Sequence, residues 1–218
     1  MSKVSVWDEF RVISGAEKAI LKLANIPEFQ WYESDLIPDE CDVEAFKKLK
    51  YLRENIDNFD TCMDNNLLIC GKHLGCGKTE WALKLMLTYI ENNAYKLDYV
   101  DEGEVSKFNI AYFCKVVPFL VRMKQFGNNK KISETFDRIS NSDLVVFDDI
   151  SALPMSNYDY NTLYALVEER LWKGLPTIYT TNIITQEELT KTLGERLAER
   201  IWKTSKIVEL KGEGYRGE

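Results

Sequence analysis

One continuous stretch of this 218-residue chain, NLLICGKHLGCGKTEWALKLMLTYIEN (66–92), constrains its fold more than any other. A short apolar run, NLLIC, breaks into a glycine-rich loop and re-emerges as a long segment that is apolar nearly all round. The first part predicts a buried strand and the last a well-packed helix. The alternation then continues. FNIAYFCKV (108–116) reads as a strand, and PFLVRMKQF as a helix with Pro118 at its first position. DLVVFDDI (143–150) is a strand with an acidic end, followed by the helix DYNTLYALVEERLWKG, with Asp159 as N-cap and Gly174 past its end. TIYTTNI (177–183) and KIVEL (206–210) are the last two strands, with the helix GERLAERIWK between them. Strands alternating with helices predict an α/β fold, a five-stranded parallel sheet covered by helices on both faces. Such sheets bind ligands at the carboxyl ends of their strands. Residues 1–60 read as short helices and loops, with Phe46, Leu49 and Leu52 at helical spacing in VEAFKKLKYLREN. The division expected is a helical segment over 1–54 and one α/β domain over 55–218.

Composition narrows the class. No run of about 18 apolar residues is present, so no membrane span or membrane partner is expected. Five cysteines at 41, 62, 70, 76 and 114 form no C-x-x-C pair, and there is a single histidine, His73. That pattern argues against a disulfide framework or a zinc site and for a reducing, cytoplasmic setting. The net charge of −7 excludes a uniformly basic coat for nucleic acid. The charge is uneven, with 13 acids against 8 Lys/Arg over residues 1–60. No acid occurs from Val105 to Ser133, where Lys107, Lys115, Arg122, Lys124, Lys130 and Lys131 fall. That segment is either a solvated face or a contact for a polyanion.

The loop GKHLGCGKT has the Gly-x-Gly-Lys-Thr core of a phosphate-binding loop, but Gly71 stands one place too early for the usual spacing. Gly75 and Gly77 would let backbone N–H groups turn toward a phosphate, and the helix that starts at Lys78 would add its positive end. Lys78 would reach the outer phosphates of ATP, and the Thr79 hydroxyl would ligate Mg²⁺. The nucleotide-binding set is then Gly75, Cys76, Gly77, Lys78, Thr79 and Glu80. LVVFDD supplies the second half of such a site: Asp148 for the metal, Asp149 to orient or deprotonate the attacking water. Asn182, at the end of TIYTTN, either positions that water or caps its strand. Arg196 and Arg200 share one helical face in GERLAERIW. They serve as surface ion pairs with Glu195 and Glu199, or one of them reaches a neighbour's γ-phosphate. Arg216, in GEGYRGE, would contact phosphates of its own subunit.

The series GCGKT, LVVFDD, TTN, LGERLAERI and GYR resembles the AAA+ helicase loaders of the DnaC/DnaI type, most of all the short phage-encoded versions, with SNYDYNTLYALVEERLWKGLPTIYTTN especially similar. The resemblance covers roughly residues 55–218. It implies an ATPase without a C-terminal lid that assembles side by side, holds ATP and Mg²⁺ at subunit junctions, and helps place a hexameric replicative helicase on single-stranded DNA. It implies that Arg200, with Arg196 close by, is the arginine finger, that Asn182 is the first sensor and that Arg216 is the second. It also puts single-strand contacts at Phe126 and at Ser156 with Tyr158. Phe126 stands beside Lys124 in the acid-free segment, and an aromatic next to basic groups suits base stacking along a charged groove. The chain departs from the pattern in its longer loop, in Asp149 where glutamate is common, and in a short N-terminal segment. Three other readings remain: a transposition-helper ATPase acting on duplex DNA, a P-loop kinase, and a helicase-binding protein that does not hydrolyse ATP.

Overall fold

The computed structural model describes residues 15–30, 36–58, 66–97, 109–126, 129–152 and 155–213. Its strands are β1 (Asn66–Cys70), β2 (Ala111–Lys115), β3 (Leu144–Asp148), β4 (Thr177–Thr181) and β5 (Ser205–Glu209). They form one all-parallel sheet in the order β2-β3-β4-β1-β5. The helices are α1 (Gly15–Leu23), α2 (Val43–Glu54), α3 (Lys78–Asn93), α4 (Val116–Phe126), α5 (Lys130–Asn141), α6 (Asn157–Trp172), α7 (Gln186–Leu193) and α8 (Glu195–Lys203).

Successive strand residues point to opposite faces. Leu67, Ile69, Phe113, Val146, Ile178 and Val208 join the cluster built by α1, α2 and α3. Leu68, Cys114, Val145, Phe147 and Tyr179 join the one built by α4 to α8. Every residue of β1, β3 and β4 is buried, which is why β1 and β3 read as apolar runs rather than as alternating patterns, while β4 buries three threonines. The segment before residue 55 contributes to the first cluster: Ile20, Leu21, Phe46, Leu49 and Leu52 are all buried in it. Phe46 meets Trp81 of α3 edge to face, ring centroids 5.1 Å apart.

β1 keeps its expected bounds and β5 shifts by one residue, while the other three strands are shorter than expected. β2 starts at Ala111 rather than Phe108, and β4 stops at Thr181 rather than Ile183. α4 begins at Val116, so Pro118 is its third residue rather than its first. The first turn of a helix leaves its N–H groups without intrahelical partners, so proline is accommodated there as well. The N-cap of α6 is Ser156, not Asp159. Ser156 Oγ accepts from Asp159 N at 3.3 Å while Asp159 Oδ2 accepts from Ser156 N at 3.0 Å, a reciprocal capping box. Two helices within the described residues were not anticipated. α5 starts at Asn129, which accepts from Lys131 N at 2.9 Å. α7 starts at Thr185, whose hydroxyl accepts from Glu188 N at 3.3 Å, so the sequence T-Q-E-E carried a legible start signal.

Two buried charges tie distant parts of the chain. Arg170 is fully buried in α6 and donates to Thr177 Oγ1 at 3.0 Å, to Ile139 and Ser142 carbonyls at 2.8 Å each, and to the Pro176 carbonyl at 2.6 Å. Burial pulls its pKa down to about 10, which leaves it charged at neutral pH. Asp42, also fully buried, accepts the N–H groups of Lys211 at 2.6 Å and Gly212 at 2.9 Å, just after β5. A Cβ on Gly212 would lie 2.5 Å from Asp39 Oδ2 and 2.7 Å from Asp42 Oδ2, so any side chain there would have to displace both carboxylates. Asp42→Ala strands both amides, and the expected cost is about 2 kcal/mol. A thermal melt should record it as a drop of roughly 5 °C, whereas an unchanged melt would show these amides to be satisfied by water.

Candidate active site

The sheet order makes β3, β4 and β1 neighbours, so the loops leaving their carboxyl ends converge. A cleft of about 480 Å³ opens there, lined by Gly75, Gly77, Lys78, Thr79, Glu80, Asp148, Asp149, Thr180 and Asn182, with Gln30, Leu36 and Leu74. Its volume lies within the usual range for small-molecule sites, about 300–1,000 Å³.

The long loop has a physical explanation. Gly75 (φ 79°) and Gly77 (φ 95°) both hold left-handed backbone, and Gly77 is the N-cap of α3. Gly71 meets a different demand: a Cβ there would lie 2.5 Å from the Leu210 carbonyl oxygen and 2.9 Å from Cys76 Sγ. It is glycine because the chain past β5 crosses close to it, so its position in the spacing is free to differ.

Lys78 Nζ donates to the Gly71 carbonyl at 2.8 Å and the His73 carbonyl at 2.9 Å, and lies 3.3 Å from the buried Cys76 Sγ. The ammonium is folded across the mouth of the loop onto neutral acceptors, which a phosphate's charge would outbid. Below it, Asp148 Oδ1 accepts from Thr79 Oγ1 at 2.7 Å and from Thr180 Oγ1 at 2.8 Å. Thr180 Oγ1 accepts in turn from Asp149 N at 2.8 Å. Thr180 thereby locks both acids to β4, a role not assigned from the sequence. The signal was there: a hydroxyl in a fully buried strand must find partners. Asp149 takes φ 59°, a left-handed value that aspartate tolerates, and this turns its side chain into the cleft. Burial, and then the neighbouring Asp148, raise its pKa above the ordinary carboxylate value, while Lys78 opposes the shift.

These residues fit a nucleoside triphosphate with a divalent cation. Thr79 Oγ1 and Asp148 Oδ1 lie 2.7 Å apart. Adjacent ligands in an octahedral magnesium shell would stand roughly 2.9 Å apart. Lys78, the turned loop and the start of α3 form an anion cradle.

The family model of the IstB-like ATP binding protein matches residues 47–218. The chain belongs to this family. The IstB-like match carries ATP binding with it and agrees with the α/β fold of a DnaC-type AAA+ protein. A solved DnaC helicase loader is similar over 85% of this chain and 100% of its own, at 19% identity and TM-score 0.66. A DnaI structure is similar over 85% of this chain and 94% of its own, at 17% identity and TM-score 0.63. A primosome component from Streptococcus pyogenes serotype M3, itself described as putative, covers 91% of this chain and 98% of its own, at 18% identity and TM-score 0.63. The search of curated protein sequences returned no match. Among the described residues of this IstB-like chain, no helix is long and apolar enough to cross a membrane.

The remaining sequence-assigned residues fall outside the cleft. Arg196 and Arg200 lie on the exposed side of α8, and Arg200 Nε is paired with Glu168 of α6. The carboxylate of Glu199 is paired with Lys203. Lys124 and Phe126 are exposed at the end of α4. Tyr158 Oη donates to the Met123 carbonyl at 3.1 Å, which sets that tyrosine against the turn bearing Lys124 and Phe126. Ser156 serves as the α6 cap. Arg216 lies outside the described residues.

Proposed function

We propose that this IstB-like protein is an ATPase of the helicase-loader class, which places a replicative helicase on single-stranded DNA and completes its active site only between subunits. The observation that carries the reading is Arg200: it lies on an exposed helix face, apart from the cleft that holds Lys78, Thr79, Asp148 and Asp149. Bound ATP with magnesium supplies the bond whose cleavage drives a change in assembly. Lys78 exchanges its carbonyl partners for phosphate oxygens, and Thr79 and Asp148 hold the cation. Asp149 takes the proton of the attacking water, and Asn182 orients that water. A neighbour's Arg200, released from Glu168, faces the charge that develops on the transferred phosphoryl group. Self-association through these sites follows from such an arrangement. Lys124, Phe126 and Tyr158 form the surface for single-stranded DNA, with the aromatics stacking bases and the lysine meeting phosphates.

The IstB-like family match is equally compatible with a second reading, a transposition helper that acts on duplex DNA. Light scattering behind a sizing column separates the two. With ATP and the replicative helicase of the host, the loader elutes above the mass of the helicase hexamer. Separate elution, together with assembly on duplex DNA alone, would replace the loader reading by the helper.

A further inference from the structure

The phosphate-handling groups occupy only part of the cleft. The rest of its lining, Gln30, Leu36 and Leu74, comes from the N-terminal segment and the entry of the glycine loop. Leu36 packs beside the loop, its Cδ1 only 3.5 Å from where a Cβ on Gly77 would stand. Gln30 closes a short 3-10 turn, Glu28–Gln30, whose N–H donates to the Pro27 carbonyl at 2.9 Å. Its side-chain oxygen Oε1 is buried and has no hydrogen-bond partner, alone in this respect among the described residues of the cleft. Buried polar atoms are nearly always paired, so an orphaned acceptor on a residue that lines a ligand cleft is free to take its donor from the ligand once the side chain turns outward.

We infer that Gln30 reads the base of the nucleotide and selects adenine through its exocyclic amino group. This rests on the nucleotide-site reading above. The purine 6-position decides the match. Adenine carries an amino donor there, which pairs with Oε1, and the amide nitrogen of glutamine complements an adjacent ring nitrogen. Guanine and hypoxanthine carry a carbonyl at the same place, which would set two acceptors against each other. Leu36 and Leu74 supply apolar surface for the faces of a planar ring. The N-terminal segment would then supply the specificity of the ATPase site.

Calorimetric titration of the full chain with ATP, GTP and inosine triphosphate tests this. Inosine triphosphate differs from ATP at the 6-position and the ring proton that accompanies it. The wild type is expected to bind ATP at least about tenfold more tightly than either competitor. Gln30→Met, of nearly the same volume but without the amide, should lose that margin in ATP affinity, leave GTP and inosine triphosphate unchanged, and melt at the wild-type temperature. Equal affinities in the wild type would overturn the proposal, as would a preference for GTP. So would an ATP preference that survives in folded Gln30→Met; in each of these cases the nucleotide site itself stands, provided Lys78→Ala abolishes binding of all three. Failure of the wild type to bind any nucleotide would instead remove the nucleotide reading, and this proposal with it. If Gln30→Met does not fold, the wild-type comparison of ATP with inosine triphosphate decides, and Gln30→Asn, which shortens the reach, repeats the test.

Discussion

Arg200→Ala is expected to bind ATP as the wild type does and to lose hydrolysis by about a thousandfold, the low end of what an arginine finger contributes. The expectation follows from where the side chain lies. Arg200 does not line its own cleft, and within its own chain it is engaged with Glu168. Its removal should therefore leave the anion cradle at Lys78 untouched. A mixing experiment separates action between subunits from action within one. Lys78→Ala subunits cannot hold ATP but still present Arg200, while Arg200→Ala subunits hold ATP but present no finger. Each is inactive by itself. Mixed in equal amounts under assembling conditions, roughly a quarter of head-to-tail junctions combine an intact site with an intact finger, and activity should recover in that proportion. If Arg200→Ala hydrolyses normally, the exposed pair with Glu168 is only a surface ion pair, the kind worth little to stability; if Arg200→Ala is inactive and the mixture stays inactive, Arg200 acts within its own subunit.

The largest loss of stability should come from Arg170→Leu. The guanidinium satisfies three carbonyls and a threonine hydroxyl drawn from the ends of α5, the turn before β3 and the start of β4. Leucine fills part of the volume but leaves those acceptors buried without donors, at an expected cost of about 3–5 kcal/mol. A thermal melt should fall by roughly 10 °C. Arg170→Lys keeps the charge but cannot span acceptors on several sides, so it should recover only part of the loss. A melt unchanged by leucine would mean that the acceptors repack or hydrate, and that α6 is held by its apolar contacts alone.

The sequence by itself determined the strands and the order of the chemistry. NLLIC and LVVFD are apolar runs because both faces of their strands are covered, and local composition records that directly. The Gly-x-Gly-Lys-Thr core and the paired aspartates are also local, since a tight turn and a strand end each need particular residues at fixed offsets. Helix α5 was harder to see, since its sequence is mostly polar and its start rests on one asparagine cap. Only the tertiary structure decided what depends on distance between segments. The early glycine at position 71 is explained by the Leu210 carbonyl, about 140 residues away in the chain. Thr180 acquires its part because the sheet order sets β4 between β3 and β1, within reach of both acids. Asp42 and Gln30 carry no motif in the sequence, yet one caps the chain after β5 and the other lines the cleft. Burial and hydrogen-bond partners are properties of the packed chain, and no spacing along the sequence encodes them.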